Sequence, residues 1–122
     1  MKFILSALGG AVLAANIGPN NFKTLEQICL QNGLKSEMTT LVTSDGYILN
    51  VRRIPGKFTD DPTVQKPVVL FMHCLDCDHM EYVSHQPDKA PALVLANLGY
   101  DVWLGNNRGN RFSKAHVSMN SR

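Results

Sequence analysis

Long apolar runs are missing from this sequence. No stretch of about 18 consecutive apolar residues occurs, so nothing in it reads as a membrane-spanning helix. Strong charge of either sign is missing too. Twelve Lys and Arg stand against ten Asp and Glu, a formal net charge of +2, and apart from Arg52-Arg53 the basic residues do not cluster. A phosphate-binding surface for nucleic acid is therefore not the default reading. No Asn-x-Ser/Thr acceptor is present, and internal repeats, low-complexity segments and cofactor-binding motifs are absent as well. Cysteine is scarce: three residues, Cys29, Cys74 and Cys77, an odd number that cannot all pair within the chain.

What is present is a globular composition, 44% hydrophobic and 18% charged, in a length of 122 residues that suits one domain. The first residues have the layout of a secretion signal. Lys2 gives a positive start, Phe3 to Ala11 an apolar run, and Val12-Leu13-Ala14 a small-residue cleavage pattern. Residues 1–15 are thus expected to be a signal peptide and 16–122 the domain, delivered to an oxidising compartment. A buried N-terminal helix is the alternative for the same stretch.

Residues 21–33 read as a short helix. Thr24 and Gln27 have capping-box spacing, Leu25, Ile28 and Cys29 recur at helical intervals, and Gly33 can end it. Met38 to Thr43 and Tyr47 to Ile54 alternate around Asp45-Gly46, the signature of a β-hairpin. Pro55 to Pro67 is a polar surface loop with Phe58 as its apolar anchor. Val68 to Met72 is continuously apolar, the pattern of a strand buried on both faces. A second helix is expected from about Ala90 to Leu98, with Pro91 in its first turn, Val94 and Leu98 on one face and Gly99 as its stop. Tyr100 to Leu104 is a further buried strand, and strand–helix–strand predicts a right-handed βαβ unit with parallel strands. The end of the chain, from His116, has no regular element.

With these elements in place, the run Gly99-Tyr100-Asp101-Val102-Trp103-Leu104-Gly105-Asn106-Asn107-Arg108-Gly109-Asn110 resembles the signature of acid lipases, the group of gastric and lysosomal lipases and related sterol esterases. Thr43 to Leu49 with Arg53-Ile54-Pro55 is similar to that family's opening hairpin, and Pro67 to Leu75 to its next strand and loop. The resemblance implies an α/β fold, here the hairpin plus βαβ part of an α/β-hydrolase. It also implies secretion or lysosomal delivery, and a lipid ester or lipid surface as partner. In that fold the strand ending at Met72 runs into a His-Gly-x loop whose last residue offers a backbone N–H to the oxyanion hole. Here the triplet is His73-Cys74-Leu75, so Leu75 is the candidate donor, with Cys where glycine is expected.

The family's nucleophile, acid and base are expected elsewhere. No Gly-x-Ser-x-Gly elbow occurs, and none of Ser113, Ser118, His116 or Asp101 fits a triad position. The expectation is a truncated lipid-ester hydrolase, inactive as written. The alternative is a non-catalytic secreted lipid-binding protein derived from a lipase. Without the strand that precedes the nucleophile, Val68 to Met72 should form an open sheet edge, and one sheet face should stay uncovered. The cluster His73-Cys74-Leu75-Asp76-Cys77-Asp78-His79 also invites zinc or thiol–disulfide readings. Adjacent ligands suit zinc poorly, so a local disulfide or plain thiols is the expectation and no metal site is assigned. Trp103 and Tyr100 are expected in the core, Arg108 as a donor to loop carbonyls, and His85 and His116 as exposed bystanders.

Overall fold

The computed structural model describes residues 23–120, so the expected signal peptide lies outside the described residues. Helix α1 (Leu25–Gln31) leads into a hairpin of β1 (Glu37–Val42) and β2 (Ile48–Ile54). Strand β3 (Val68–Met72), a 3-10 turn (His79–Tyr82), helix α2 (Pro91–Asn97) and strand β4 (Asp101–Gly105) complete the element order. They form one four-stranded sheet in the order β1-β2-β4-β3. β1 pairs antiparallel with β2 and β2 antiparallel with β4, while β3 lies parallel beside β4 as the βαβ pattern predicts.

Both helices end the same way, and the sequence says why. In α1, Gly33 at φ 68° passes its N–H to Leu30 and lets Leu34 bond back to the Cys29 carbonyl, at 3.2 and 2.9 Å. In α2, Gly99 at φ 95° bonds Ala96 and Tyr100 bonds Leu95, at 3.2 and 3.1 Å. This closing turn needs the left-handed backbone that glycine adopts without a Cβ penalty. At its start, α1 carries the reciprocal cap that the spacing implied. The Thr24 hydroxyl accepts from Gln27 N, and the Gln27 side chain accepts from Thr24 N at 2.9 Å. Thr24→Ala should therefore lower stability by about 1 kcal/mol in urea melts. An unchanged midpoint would mean that solvent replaces the cap without loss.

The core is built on one side of the sheet only. Leu25, Ile28, Cys29 and Leu34 meet Ile54, Val102 and Leu104 from the strands and Ala92, Leu93 and Ala96 from α2 in one cluster. The buried face of α2 thus differs from the expected one. Ala92, Leu93 and Ala96 point inward, while Leu98 is 70% exposed. In so short a helix, two apolar stripes compete, and the one that faces the sheet sets Leu93 between two alanines, which let α2 approach closely. Strand β3 also departs from its double-buried pattern: Val68, Leu70 and Met72 are exposed and only Val69 and Phe71 turn inward. β3 stands at the sheet edge, as expected for a sheet lacking its next strand.

The opposite sheet face is open. Thr39, Leu41, Leu49, Val51, Leu70 and Trp103 line a trough of about 730 Å³ across all four strands. Trp103 therefore lies on this half-open face, with the Arg53 guanidinium 5.0 Å above its ring, and not in the core; Tyr100 does pack against the core. The 55–67 loop is held by charge where an apolar anchor was expected. Lys66 reaches the Pro55 carbonyl at 2.6 Å and Asp60 at 2.5 Å, whereas Phe58 is 56% exposed. The single unpaired thiol, Cys29, is fully buried, and burial pushes it up to about 12.

Candidate functional site

Parallel pairing aligns Met72 with Gly105, so the loops that follow β3 and β4 leave the sheet at the same end. In parallel α/β sheets this carboxyl end is where ligand chemistry is placed. The first loop carries His73, Cys74, Leu75, Asp76 and Cys77; the second carries Asn106 to Ser113. Between them lies a hollow of about 660 Å³, which shares Asn107 and Arg108 with the lining of the open trough.

The first loop is tied at several points. Cys74 and Cys77 form a disulfide with Cα atoms 5.2 Å apart, which decides between the local disulfide and free thiols. Asp76, within that loop, takes φ 61°, a left-handed conformation that Asp tolerates better than most residues. The Glu81 carboxylate lies within 4.8 Å of both sulfurs. With the sulfurs joined to each other, the thiolates that zinc would require are not present in this state. Leu75 is 97% exposed, and its backbone N–H meets no acceptor among the described residues. The expected donor is thus unengaged and open to solvent.

The second loop is an amide lock that residue patterns did not announce. Asn106, 2% exposed, accepts at Oδ1 from His79 N at 3.2 Å, His79 Nδ1 at 3.1 Å and Asn110 Nδ2 at 2.9 Å. Its own amide donates to the Asn50 carbonyl at 2.9 Å. Asn110 also reaches His73 Nε2 at 3.1 Å, and the Asn107 backbone N–H reaches the same nitrogen at 2.9 Å. His79 is 1% exposed and edge-on to Phe112, with ring centroids 4.5 Å apart; burial holds its pKa below the ordinary imidazole value. It is a neutral structural donor. Asp78 adds a second tie, capping Met80 N at 2.8 Å and accepting from Arg111 Nε at 2.7 Å.

The residues considered and set aside as triad members have other partners. Ser113 is fully buried, and its Oγ accepts from Asn50 N at 2.9 Å. Asp101 sits at the opposite end of β4 in a two-point pair with Arg53, at 2.8 and 2.9 Å, which keeps its carboxyl below the usual range. His116 is no bystander. Its Nε2 bonds the Asp45 carbonyl at 2.7 Å, its ring meets Tyr47 edge-on, and Val117 N bonds Gly46 O at 2.9 Å, so this stretch docks on the hairpin turn. Ser118 Oγ is 3.4 Å from His116 Nδ1, but that nitrogen already accepts the Ser118 and Met119 backbone N–H groups at 3.1 Å. Arg108 pairs with the Asp45 carboxylate and lies 4.8 Å from the Tyr47 ring centroid, in place of the loop carbonyls expected for it.

Comparison with known proteins agrees with this geometry. The family described as partial alpha/beta-hydrolase lipase region matches residues 25–86. Gastric triacylglycerol lipase of Mus musculus is 40% identical across 93% of this chain and 30% of that protein. Lipase member N of Mus musculus is 35% identical across 96% of the chain and 30% of that protein. Lipase lipl-1 of Caenorhabditis elegans is 36% identical across 93% and 28%. The chain spans less than a third of the length of these relatives. The four-stranded mixed sheet with its helices on one face is a partial α/β-hydrolase fold, and the chain belongs to the acid lipase family, whose N-terminal part it matches.

Proposed function

We propose that this segment is the oxyanion-hole half of a lipid-ester hydrolase and that these 122 residues alone do not hydrolyse esters. The observation that carries the reading is the unengaged Leu75 N–H at the carboxyl end of β3, on a loop braced by the Gly105 to Asn110 signature. Such a donor stabilises a tetrahedral oxyanion only when a nucleophile is held about 3 Å from the reacting carbon. No Gly-x-Ser-x-Gly elbow is present to hold one, and Ser113 is buried as a structural acceptor. A secretory route, extracellular or lysosomal, with residues 1–15 as a cleaved signal, is supported by the Cys74–Cys77 disulfide, since such bonds persist in oxidising compartments.

The 122-residue chain should show no turnover of p-nitrophenyl butyrate above the uncatalysed rate and no labelling by a fluorophosphonate. Stoichiometric labelling of one serine would overturn the inactive part of the reading. Substituted for the corresponding segment of mouse gastric lipase, the same residues should support ester hydrolysis. A folded but inert chimera would count against the hydrolase part. A second reading, a non-catalytic lipid-binding protein derived from a lipase, is favoured by the open trough lined by Leu41, Leu49, Leu70 and Trp103. Lipid that co-purifies with the secreted chain would bring that reading forward.

A further inference from the structure

Leu75 N–H belongs to the same peptide unit as the Cys74 carbonyl, and that carbonyl has two partners, of which the Cys77 backbone N–H is the longer at 3.3 Å. His73 Nδ1 lies 2.8 Å from Cys74 O. The other ring nitrogen, Nε2, faces two groups that can only donate to it, the Asn107 backbone N–H and an Asn110 amide N–H, at 2.9 and 3.1 Å. Two donors on Nε2 leave it as the acceptor, which places the ring proton on Nδ1 and makes Nδ1–H the donor to Cys74 O. The Cys74–Leu75 peptide is planar and trans, so its N–H points opposite to its C=O. Holding one end of the unit aims the other.

We propose that His73 is a positioning residue for the oxyanion donor: its ring, locked in one tautomer by Asn107 and Asn110, fixes the direction of the Leu75 N–H. This rests on the reading of Leu75 as that donor. Cys74 makes the restraint matter more in this loop. Where glycine would turn the backbone freely, this loop carries a Cβ-bearing residue followed by Asp76 at φ 61°. The disulfide closes the loop from Cys74 to Cys77 through side chains, and across the same turn the Cys77 N–H holds the Cys74 carbonyl at 3.3 Å. The imidazole supplies the shorter of the two hydrogen bonds to that carbonyl, and the Asn110 amide couples it to the buried Asn106–His79 pair.

The test is nuclear magnetic resonance on the full 122-residue chain. Ring-nitrogen correlations should show His73 protonated at Nδ1 and bare at Nε2, and the Leu75 N–H order parameter should lie near the rigid-backbone value of about 0.85. His73→Ala should drop that order parameter below about 0.6. His73→Asn, whose amide nitrogen falls where Nδ1 was, should restore it, whereas His73→Gln, which places its amide near Nε2, should not. Asn110→Ala should weaken the tautomer preference without moving sheet resonances such as Val102. A ring protonated at Nε2 would overturn the proposal. So would a Leu75 order parameter that is the same in His73→Ala as in the parent, because the disulfide and the Cys77 N–H would then be doing the positioning. If His73→Ala fails to fold, the ring nitrogens of the unaltered chain decide alone. Failure of the hydrolase reading would appear in the ester experiments and failure of the positioning role in the ring nitrogens, so the two are separable.

Discussion

Replacing Asn106 by leucine is expected to cost the fold roughly 3–5 kcal/mol, although the two side chains are close in size. Shape is not what Asn106 supplies. One carboxamide satisfies the His79 backbone N–H, the His79 ring and the Asn110 amide, and it donates to Asn50 O. His79 is 1% exposed, so water cannot take over its donors when the acceptor is deleted. A buried polar group left without a partner costs about 1–3 kcal/mol, and leucine would orphan several at once. Domains of this size are held by about 5–15 kcal/mol, so a large part of the stability goes. Urea unfolding followed by Trp103, the single tryptophan, should show a midpoint lowered by more than about 1 M. A midpoint within a few tenths of a molar of the parent would show that the amide network is ornamental to stability.

The second large effect separates the two sheet faces. Leu104→Ala should cost about 2–5 kcal/mol, because Leu104 is fully buried on the central strand β4 beneath the helices and leaves a cavity when truncated. Leu70→Ala, on the neighbouring strand, should change stability by no more than about 0.5 kcal/mol, since Leu70 is already 60% exposed on the open face. The same pair of melts reads both. Equal losses would mean that the trough is filled in solution, by a second copy of the chain or by bound lipid, and that Leu70 is not exposed there.

The parts of this fold that were legible in the sequence are those whose determinants sit a few residues apart. Asp45-Gly46 between alternating runs marks the hairpin, Thr24 and Gln27 mark the start of α1, and Gly33 and Gly99 mark the two helix ends. Each depends on backbone geometry that one or two residues dictate locally. The edge position of β3 followed from the strand order that the lipase resemblance implies, and the sheet order β1-β2-β4-β3 agrees with it. What the pattern misjudged was decided by distance. Asn110 meets His73 across 37 positions, Arg108 meets Asp45 across 63, and His116 meets Asp45 across 71. Nothing in an Asn-Asn-Arg-Gly-Asn string says which carbonyl, ring or carboxylate will stand opposite once two loops leave the same end of a sheet. The candidate site was legible as a place, the loop after β3, where Leu75 is exposed with its N–H unengaged among the described residues. The hydrogen-bond lock around His73 and His79 was not. Even α2 shows the limit. With Ala92, Leu93, Val94, Leu95 and Ala96 in succession, periodicity offers more than one face, and only the sheet beneath selects Ala92, Leu93 and Ala96.

Cys29 gives the molecule a clock of its own. The two other cysteines are consumed by their mutual bond, so one thiol remains, sealed between α1 and the sheet and held protonated far above neutrality. In the closed protein it has neither the access nor the thiolate needed to react with a maleimide. Each labelled molecule therefore records an excursion in which α1 left the core, and the labelling rate at neutral pH reads how often that happens. No probe has to be engineered in, because the chain already carries one at the point where its one-sided core closes.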